Sequence, residues 1–217
     1  MSLAKENKIQ LNHAVEIMRL TLTFDGSLPS GSNDPRVQDK QIIRRAFHEQ
    51  LADLWRTNPA LKRRLESWEK PTPENALFGS WVNCFDTGPF RFIPLVTGAH
   101  SLLCELDILF LRAEPPGRVF TTNFAGDLDN RLKVLFDALR MPREAKELPA
   151  SDLPAANENP FFCLLEHDSM ISTVRIESER LYGTAGPDAR VRLVVRARIL
   201  ITEVTDGMTL AIILQSA

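Results

Sequence analysis

Gly126-Asp-Leu-Asp-Asn-Arg-Leu-Lys-Val-Leu-Phe-Asp-Ala-Leu139 is an acidic stretch that runs into a regular apolar repeat. The apolar side chains recur at the spacing of one helical face: Leu132, Leu135, Phe136 and Leu139. On a second face, Asp129, Lys133 and Asp137 stand four residues apart. The stretch therefore predicts an amphipathic helix that opens with acidic residues.

Two carboxylates, Asp127 and Asp129, stand at the predicted start of this helix. Either could serve as its N-cap, because a helix N-terminus offers free N–H groups and favours negative charge. One cap accounts for one aspartate and leaves the other unexplained, together with Asn130 and Lys133. The pattern indicates a polar site at the start of the helix.

Length and composition predict an ordinary globular protein. The chain has 217 residues, 44% of them hydrophobic and 25% charged, which suits one domain with a core, with or without an insertion. The formal net charge of −2 gives no general attraction for nucleic acid, so a site for a polyanion must be a local patch.

The three cysteines, Cys84, Cys104 and Cys163, are odd in number, far apart and without metal-ligand spacing. They favour a reducing compartment, and Cys104 and Cys163 lie in apolar runs typical of core thiols. No run approaches the roughly 18 apolar residues of a membrane span, and the N-terminus has no signal-peptide pattern. We expect a cytoplasmic protein with no membrane partner.

The order of the predicted elements favours a mixed α+β domain with helices packed on a small sheet. We expect a polar lead at 1–15 (helical or disordered), a domain at 16–205 with an ordered insertion at about 57–100, and a tail at 206–217. The polar segment after Met141 contains prolines at 149, 154 and 160 and is predicted to be a loop. Its length marks it as a functional or mobile segment. The predicted strands are Glu16–Phe24, Ser101–Arg112 and Ile171–Ile176, and the predicted helices are Gln38–Trp55 and Leu61–Trp68.

The segment 188–199 alternates almost strictly between basic and apolar residues, which is typical of a strand with one buried face. One face carries Arg190, Arg192, Arg196 and Arg198. Such a row can track the phosphates of a nucleic acid. It can equally be an exposed sheet face balanced by nearby acids, and both interpretations stay open.

Three aspartates, Asp127, Asp129 and Asp168, could form an all-oxygen site for a hard cation, with Glu166 as an optional fourth ligand. Mg²⁺ suits such a site because it binds few carboxylates and keeps several waters. A metal of this kind supports phosphodiester hydrolysis, and Lys133 would add positive charge near the phosphate. The set is typical of a nuclease.

Other interpretations of the acidic pair fit less well. A calcium-binding EF-hand loop needs glycine at its sixth position, which here is Leu132. An aspartyl-phosphate phosphatase carries its acidic pair after a buried apolar strand, whereas Asn123-Phe-Ala-Gly126 precedes this one. His167 has no second histidine at ligand spacing, so we interpret it as a loop or strand-end residue rather than a zinc ligand.

Three blocks of the chain resemble the RusA-type Holliday junction resolvases. Asp127-Leu-Asp-Asn-Arg-Leu-Lys133, followed by Asp137-Ala-Leu139, is similar to the family's Asp-Leu-Asp-Asn-x-x-Lys signature. Leu165-Glu-His-Asp-Ser-Met-Ile171 resembles its second acidic block, and Leu28-Pro-Ser-Gly-Ser-Asn33 its early Pro-Pro-Ser-x-Asn loop.

The resemblance implies a Mg²⁺-dependent endonuclease (with Mn²⁺ as a possible substitute) that acts as a homodimer and cuts four-way DNA junctions in recombination and repair. Asp127, Asp129 and Asp168 would be the metal ligands, and Lys133 would be the charge stabiliser among the catalytic residues. DNA would be held by Asn33, Arg131, Lys133, Arg190, Arg192, Arg196 and Arg198. The alternative is a non-catalytic DNA-binding or interaction protein that keeps the fold and uses the acids as caps and ion-pair partners.

Overall fold

The structure is a computed structural model, and it describes residues 8–28, 36–113, 128–183 and 190–205. These ranges contain four helices and seven strands, with three short 3₁₀ turns at Gly98–His100, Ala145–Glu147 and Asp168–Met170. The longer elements are β1 (Lys8–Ser27), α1 (Val37–Thr57), α2 (Pro59–Glu69), α3 (Ala76–Gly79), β2 (Phe85–Thr87), β3 (Phe90–Val96), β4 (Leu102–Arg112), α4 (Leu128–Leu139), β5 (Phe161–Leu165), β6 (Ile171–Arg180) and β7 (Arg190–Thr205).

The larger sheet has four strands in the order β1-β7-β4-β6. β7 pairs antiparallel with both of its neighbours, whereas β4 and β6 run parallel. Strand residues alternate between a buried inner face and an exposed outer face, as β7 shows with Leu193 and Val195 inside and Arg192 and Arg196 outside. The alternation predicted for β7 is confirmed.

A second sheet of three strands has the order β2-β3-β5. β2 and β3 form an antiparallel hairpin, and β3 pairs in parallel with β5. Phe90, Phe92 and Phe161 form a small aromatic core beneath it, with ring centroids 5.3–5.8 Å apart. The mixed α+β class is confirmed, although the sequence did not indicate that the strands divide between two sheets.

Helix α1 lies at the centre of the fold and contacts β1, β5, α2 and α4. Its buried face follows helical spacing through Ile43, Phe47 and Leu51. Asn58 ends α1 and caps α2, because its side-chain oxygen accepts from the N–H groups of Ala60 and Leu61, each at 3.1 Å. The two predicted helices therefore meet at a single capping residue.

The insertion predicted at about 57–100 folds as α2, α3, β2 and β3. Two of its basic side chains stack on aromatic rings: Arg63 lies 3.7 Å from the ring centroid of Phe78, and Arg64 lies 5.0 Å from that of Trp81. These contacts join α2 to the segment that follows it. The described part of the chain contains no helix long and apolar enough to cross a membrane.

β1 begins at Lys8, whereas the sequence places the strand start at Glu16. Residues 8–10 pair with residues 203–205 at the far end of β7, beyond a register shift. This pairing involves backbone groups and needs no apolar alternation, so the polar sequence of the lead carries no signal for it. The predicted tail at 206–217 lies outside the described residues.

Candidate functional site

The first two turns of α4 bring Asp129 and Lys133 together at the surface. Lys133 Nζ lies 2.9 Å from Asp129 Oδ2, and about two thirds of each side chain is exposed. The contact follows from helix geometry, since residues four apart lie one above the other. An exposed carboxylate and an exposed ammonium are therefore available at one point of the surface.

Asp137, the third acid of this helix face, has a different role. Its carboxylate is 2.7 Å from Lys40 Nζ on α1 and 2.8 Å from Arg140 Nη2. Burial acts to raise the pKa of Asp137, but these two cations outweigh it and hold the pKa below its usual value. Asp137 therefore joins α4 to α1 and belongs to the framework of the fold.

The second acidic block begins where β5 ends. Asp168 opens the 3₁₀ turn that leads into β6, and its side chain is 46% exposed. Its Oδ1 atom lies 3.1 Å from Arg143 Nη2 and 2.9 Å from His167 Nδ1. Arg143 also contacts the His167 ring. Asp168 is thus an accessible carboxylate flanked by two basic groups.

Helix α4 lies against the Asp168–Met170 turn, so the helix that carries Asp129 contacts the turn that presents Asp168. A backbone hydrogen bond from the N–H of Met141 to the carbonyl of Leu165 (2.9 Å) joins the end of α4 to β5. Arg140 and Leu165 form a parallel bridge at the same place.

Among the described residues, no three His, Cys, Asp or Glu side chains are grouped closely enough to hold a metal ion. Asp127, one of the three predicted ligands, lies outside the described residues, as does Asn33. The described carboxylates, Asp129 and Asp168, are hard oxygen donors of the kind that Mg²⁺ prefers.

Glu166 has a structural contact of its own. Its Oε2 atom accepts from the N–H of Gly98 at 3.0 Å, and its own N–H donates to the carbonyl of Val96 at 3.0 Å. Both bonds hold the end of β5 to the turn after β3. This carboxylate therefore has a role in the fold whether or not it approaches a cation.

Each arginine of the β7 row is ion-paired on the outer face of the larger sheet. The pairs are Arg190 and Arg192 with Asp25 (3.0 and 2.7 Å), Arg196 with Asp107 (3.6 Å), and Arg198 with Glu16 (3.0 Å) and Glu105 (3.1 Å). The two arginines beside Asp25 hold the pKa of its carboxyl below the usual range. The outer face of the larger sheet therefore carries both positive and negative side chains, and each arginine is about half exposed.

Arg131 requires a correction. It was expected to contact DNA, but it is 2% exposed and lies in the buried stripe of α4 with Val134, Leu135 and Ala138. The predicted face (Leu132, Leu135, Phe136, Leu139) and the observed buried face share Leu135 and Leu139. Packing in the fold buries the neighbouring face, which includes Arg131.

Arg143 is the site residue that sequence reasoning missed. It stands in the loop after α4, 24 residues before His167. The long-range pairing of residues 140–141 with Leu165 places it beside Asp168. No local pattern in the sequence signals such a contact, because it depends on which strand the loop joins.

Comparison with protein-family models, with curated proteins and with solved structures found no match to this chain. The resemblance to RusA-type resolvases stays a prediction that rests on the motif residues.

Proposed function

We propose that the protein is a Mg²⁺-dependent, structure-selective DNA endonuclease of the RusA type, acting as a homodimer on branched DNA in the cytoplasm. The observation that carries the proposal is the exposed Asp129–Lys133 pair on the first two turns of α4, a helix that also contacts the turn that presents Asp168. The free thiols of Cys84, Cys104 and Cys163 suit a reducing compartment.

Asp129 and Asp168, with Asp127, would hold the metal. The two described carboxylates fit this role because both are accessible to solvent, and each is ion-paired with a long basic side chain that can move aside. Mg²⁺ needs only one or two carboxylates when water and phosphate oxygens complete its shell. When bound, it supplies a water of lowered pKa and neutralises charge on the phosphate.

The basic residues would bind and orient the scissile phosphate. Lys133 can turn from Asp129 towards a phosphate oxygen, since its side chain is 67% exposed and its stem is flexible. Arg143, at 49% exposure, presents a planar guanidinium beside Asp168 and can donate two hydrogen bonds to one phosphate. Both cations would stabilise the charge that develops as the phosphodiester is attacked.

The test is cleavage of a labelled four-way junction, compared with a linear duplex of the same sequence. We expect junction-selective cuts with Mg²⁺, none with EDTA, and none with Asp129→Asn. Lys133→Met should lower the rate by about 100-fold. Asp53→Asn, which removes an exposed carboxylate from α1, is the matched control and should cut normally.

A non-catalytic DNA-binding or interaction protein is the second candidate. The ion pairs favour it, because Asp129, Asp168 and every arginine of the β7 row have a partner of opposite charge. Tight junction binding without cutting in Mg²⁺ or Mn²⁺ would select this candidate. A chain that neither binds nor cuts the junction would refute the endonuclease and the DNA-binding protein alike.

A further inference from the structure

β6 is an edge strand with an open side. It pairs with β4 along its whole length, and in the described ranges no strand pairs with its other side. Seven of its ten residues are exposed, including Val174, which is 39% exposed. An open strand edge presents unpaired N–H and C=O groups that can pair with another chain.

The opposite edge of the same sheet is protected. The side-chain amide of Gln50, on α1, accepts from the N–H of Thr23 at 2.9 Å and donates to its carbonyl at 2.8 Å. This amide replaces a neighbouring strand at that position of β1. β1 also has two register shifts, and such irregularities make an edge strand less able to pair with another chain. β6 follows β4 without a shift from Thr173 to Arg180 and contains no proline.

We propose that β6 pairs antiparallel with β6 of a second copy of this chain, across a two-fold axis at Ile176. In this register Arg175 of each copy lies opposite Glu177 of the other, and Thr173 lies opposite Glu179. Each pairing is made twice, as a symmetric dimer requires.

The charges on β6 select this register. Centring the axis on Arg175 or on Glu177 places that residue opposite its own copy, and centring it on Ser178 places Glu177 opposite Glu179. Like charges directly opposite destabilise a strand pair, whereas opposite charges stabilise it. The register at Ile176 brings Arg175 and Glu177 together and sets no like charges opposite each other.

The paired strands would make a continuous sheet of eight strands. A two-fold axis perpendicular to the sheet keeps each face on its own side, so the arginine rows of both copies share one surface and the helices share the other. Val174 would gain cover from the partner strand, opposite Ser178. This interface would join the two subunits of the proposed homodimeric enzyme, and in that respect the inference rests on the proposed function. Its test measures association and not cleavage.

Disulfide crosslinking tests the register directly. In Ile176→Cys the two introduced thiols would face each other, with Cα atoms about 4.5–5.5 Å apart, which is within disulfide range. Ser178→Cys is the matched control on the same face of the strand. There the two Cα atoms would stand about 14 Å apart, too far to bridge.

Under mild oxidation of the full-length chain we expect a crosslinked dimer from Ile176→Cys. The wild type and Ser178→Cys should remain uncrosslinked. Crosslinking of both variants to the same extent would overturn the register, and crosslinking of neither would overturn the interface.

Charge reversal gives an independent measurement by sedimentation equilibrium. Arg175→Glu and Glu177→Arg should each raise the dimer dissociation constant about tenfold, because each sets like charges opposite at two symmetric positions. The double variant should restore wild-type association. Arg91→Glu, which reverses an exposed strand arginine that pairs with Asp86 at 3.3 Å, is the control and should leave association unchanged.

A wild-type chain that stays monomeric at every concentration would overturn the proposal. So would a dimer that neither single reversal weakens. If the protein dimerises through β6 but cuts no junction, the interface stands and the proposed function fails. If it cuts junctions while Ile176→Cys does not crosslink, the proposed function stands and the interface fails.

Discussion

The guanidinium of Arg45 anchors the long loop between α4 and β5 to helix α1. Its Nε atom donates to Glu158 Oε1 at 2.7 Å, and its Nη2 atom lies 2.9 Å from Asp152 Oδ1 and 3.2 Å from the carbonyl of Leu153. Glu158 also accepts from the N–H of Ala155 at 2.9 Å. One cation thus holds three points of a loop that the sequence marks as functional or mobile.

Arg45→Met keeps most of the aliphatic stem and removes the charge. Glu158 is 5% exposed, so the substitution leaves a nearly buried carboxylate without its cation. Breaking a fully buried pair in this way costs about 3–5 kcal/mol. Because the Arg45 side chain is 33% exposed, water weakens the pair, and we expect a loss of about 2 kcal/mol in the free energy of unfolding.

The loss should depend on pH. Burial acts to raise the pKa of Glu158, but the bonds from Arg45 outweigh it and hold the pKa below the usual 4.5. A depressed pKa in the folded state stabilises the fold above 4.5, and this contribution disappears as pH falls through the folded value. In Arg45→Met the bonds from Arg45 are lost and that from Ala155 remains, so burial is opposed less and the pKa of Glu158 should rise relative to wild type. The difference in the free energy of unfolding between wild type and variant should therefore be largest at pH 7 and smaller in acid.

Urea unfolding of both proteins, at pH 7 and below pH 4, measures this difference. Arg45→Met combined with Glu158→Gln should recover part of the loss at pH 7, because the amide carries no charge. A loss below about 0.5 kcal/mol at pH 7 would refute the reasoning, since that is the range of ordinary surface substitutions. So would an equal loss at both pH values.

Three further predictions concern the core. Burial lowers the pKa of His48 below its usual 6.5, so stability should fall as pH drops beneath that value, and His48→Gln should remove this dependence of the melting temperature. Burial raises the pKa of both Cys104 and Cys163 to about 12, so a thiol reagent at pH 8 should modify Cys84 first and reach the other two only on unfolding. A Cβ at Gly79 would stand 2.9 Å from a backbone oxygen of α2, so Gly79→Ala should cost about 1–3 kcal/mol by urea unfolding, and an unchanged midpoint would contradict that close packing.

Local periodicity predicted much of the secondary structure. The alternation in β7, the helical repeats of α1 and α4, and the apolar run of β4 each specify an element and its buried side within one stretch. The polar start of α4 was also visible, because Asp129 and Lys133 are four residues apart and meet through helix geometry alone.

Contacts between segments distant in the chain could not be predicted from local sequence patterns. The parallel pairing of residues 140–141 with Leu165 places Arg143 beside Asp168, and packing against α4 decides that Arg131 is buried. The division of the strands into two sheets, and the position of β6 at an edge among the described strands, likewise depend on which strands pair.

The sequence by itself therefore determined the α+β class, the main helices and strands, and the acidic face of α4. Only the tertiary structure decided the neighbours of Asp168, the partners of the β7 arginines and the exposed edge of the larger sheet. The physical reason is that side-chain period is a property of consecutive residues. Strand pairing, burial and ion pairing depend instead on segments that are far apart in the chain.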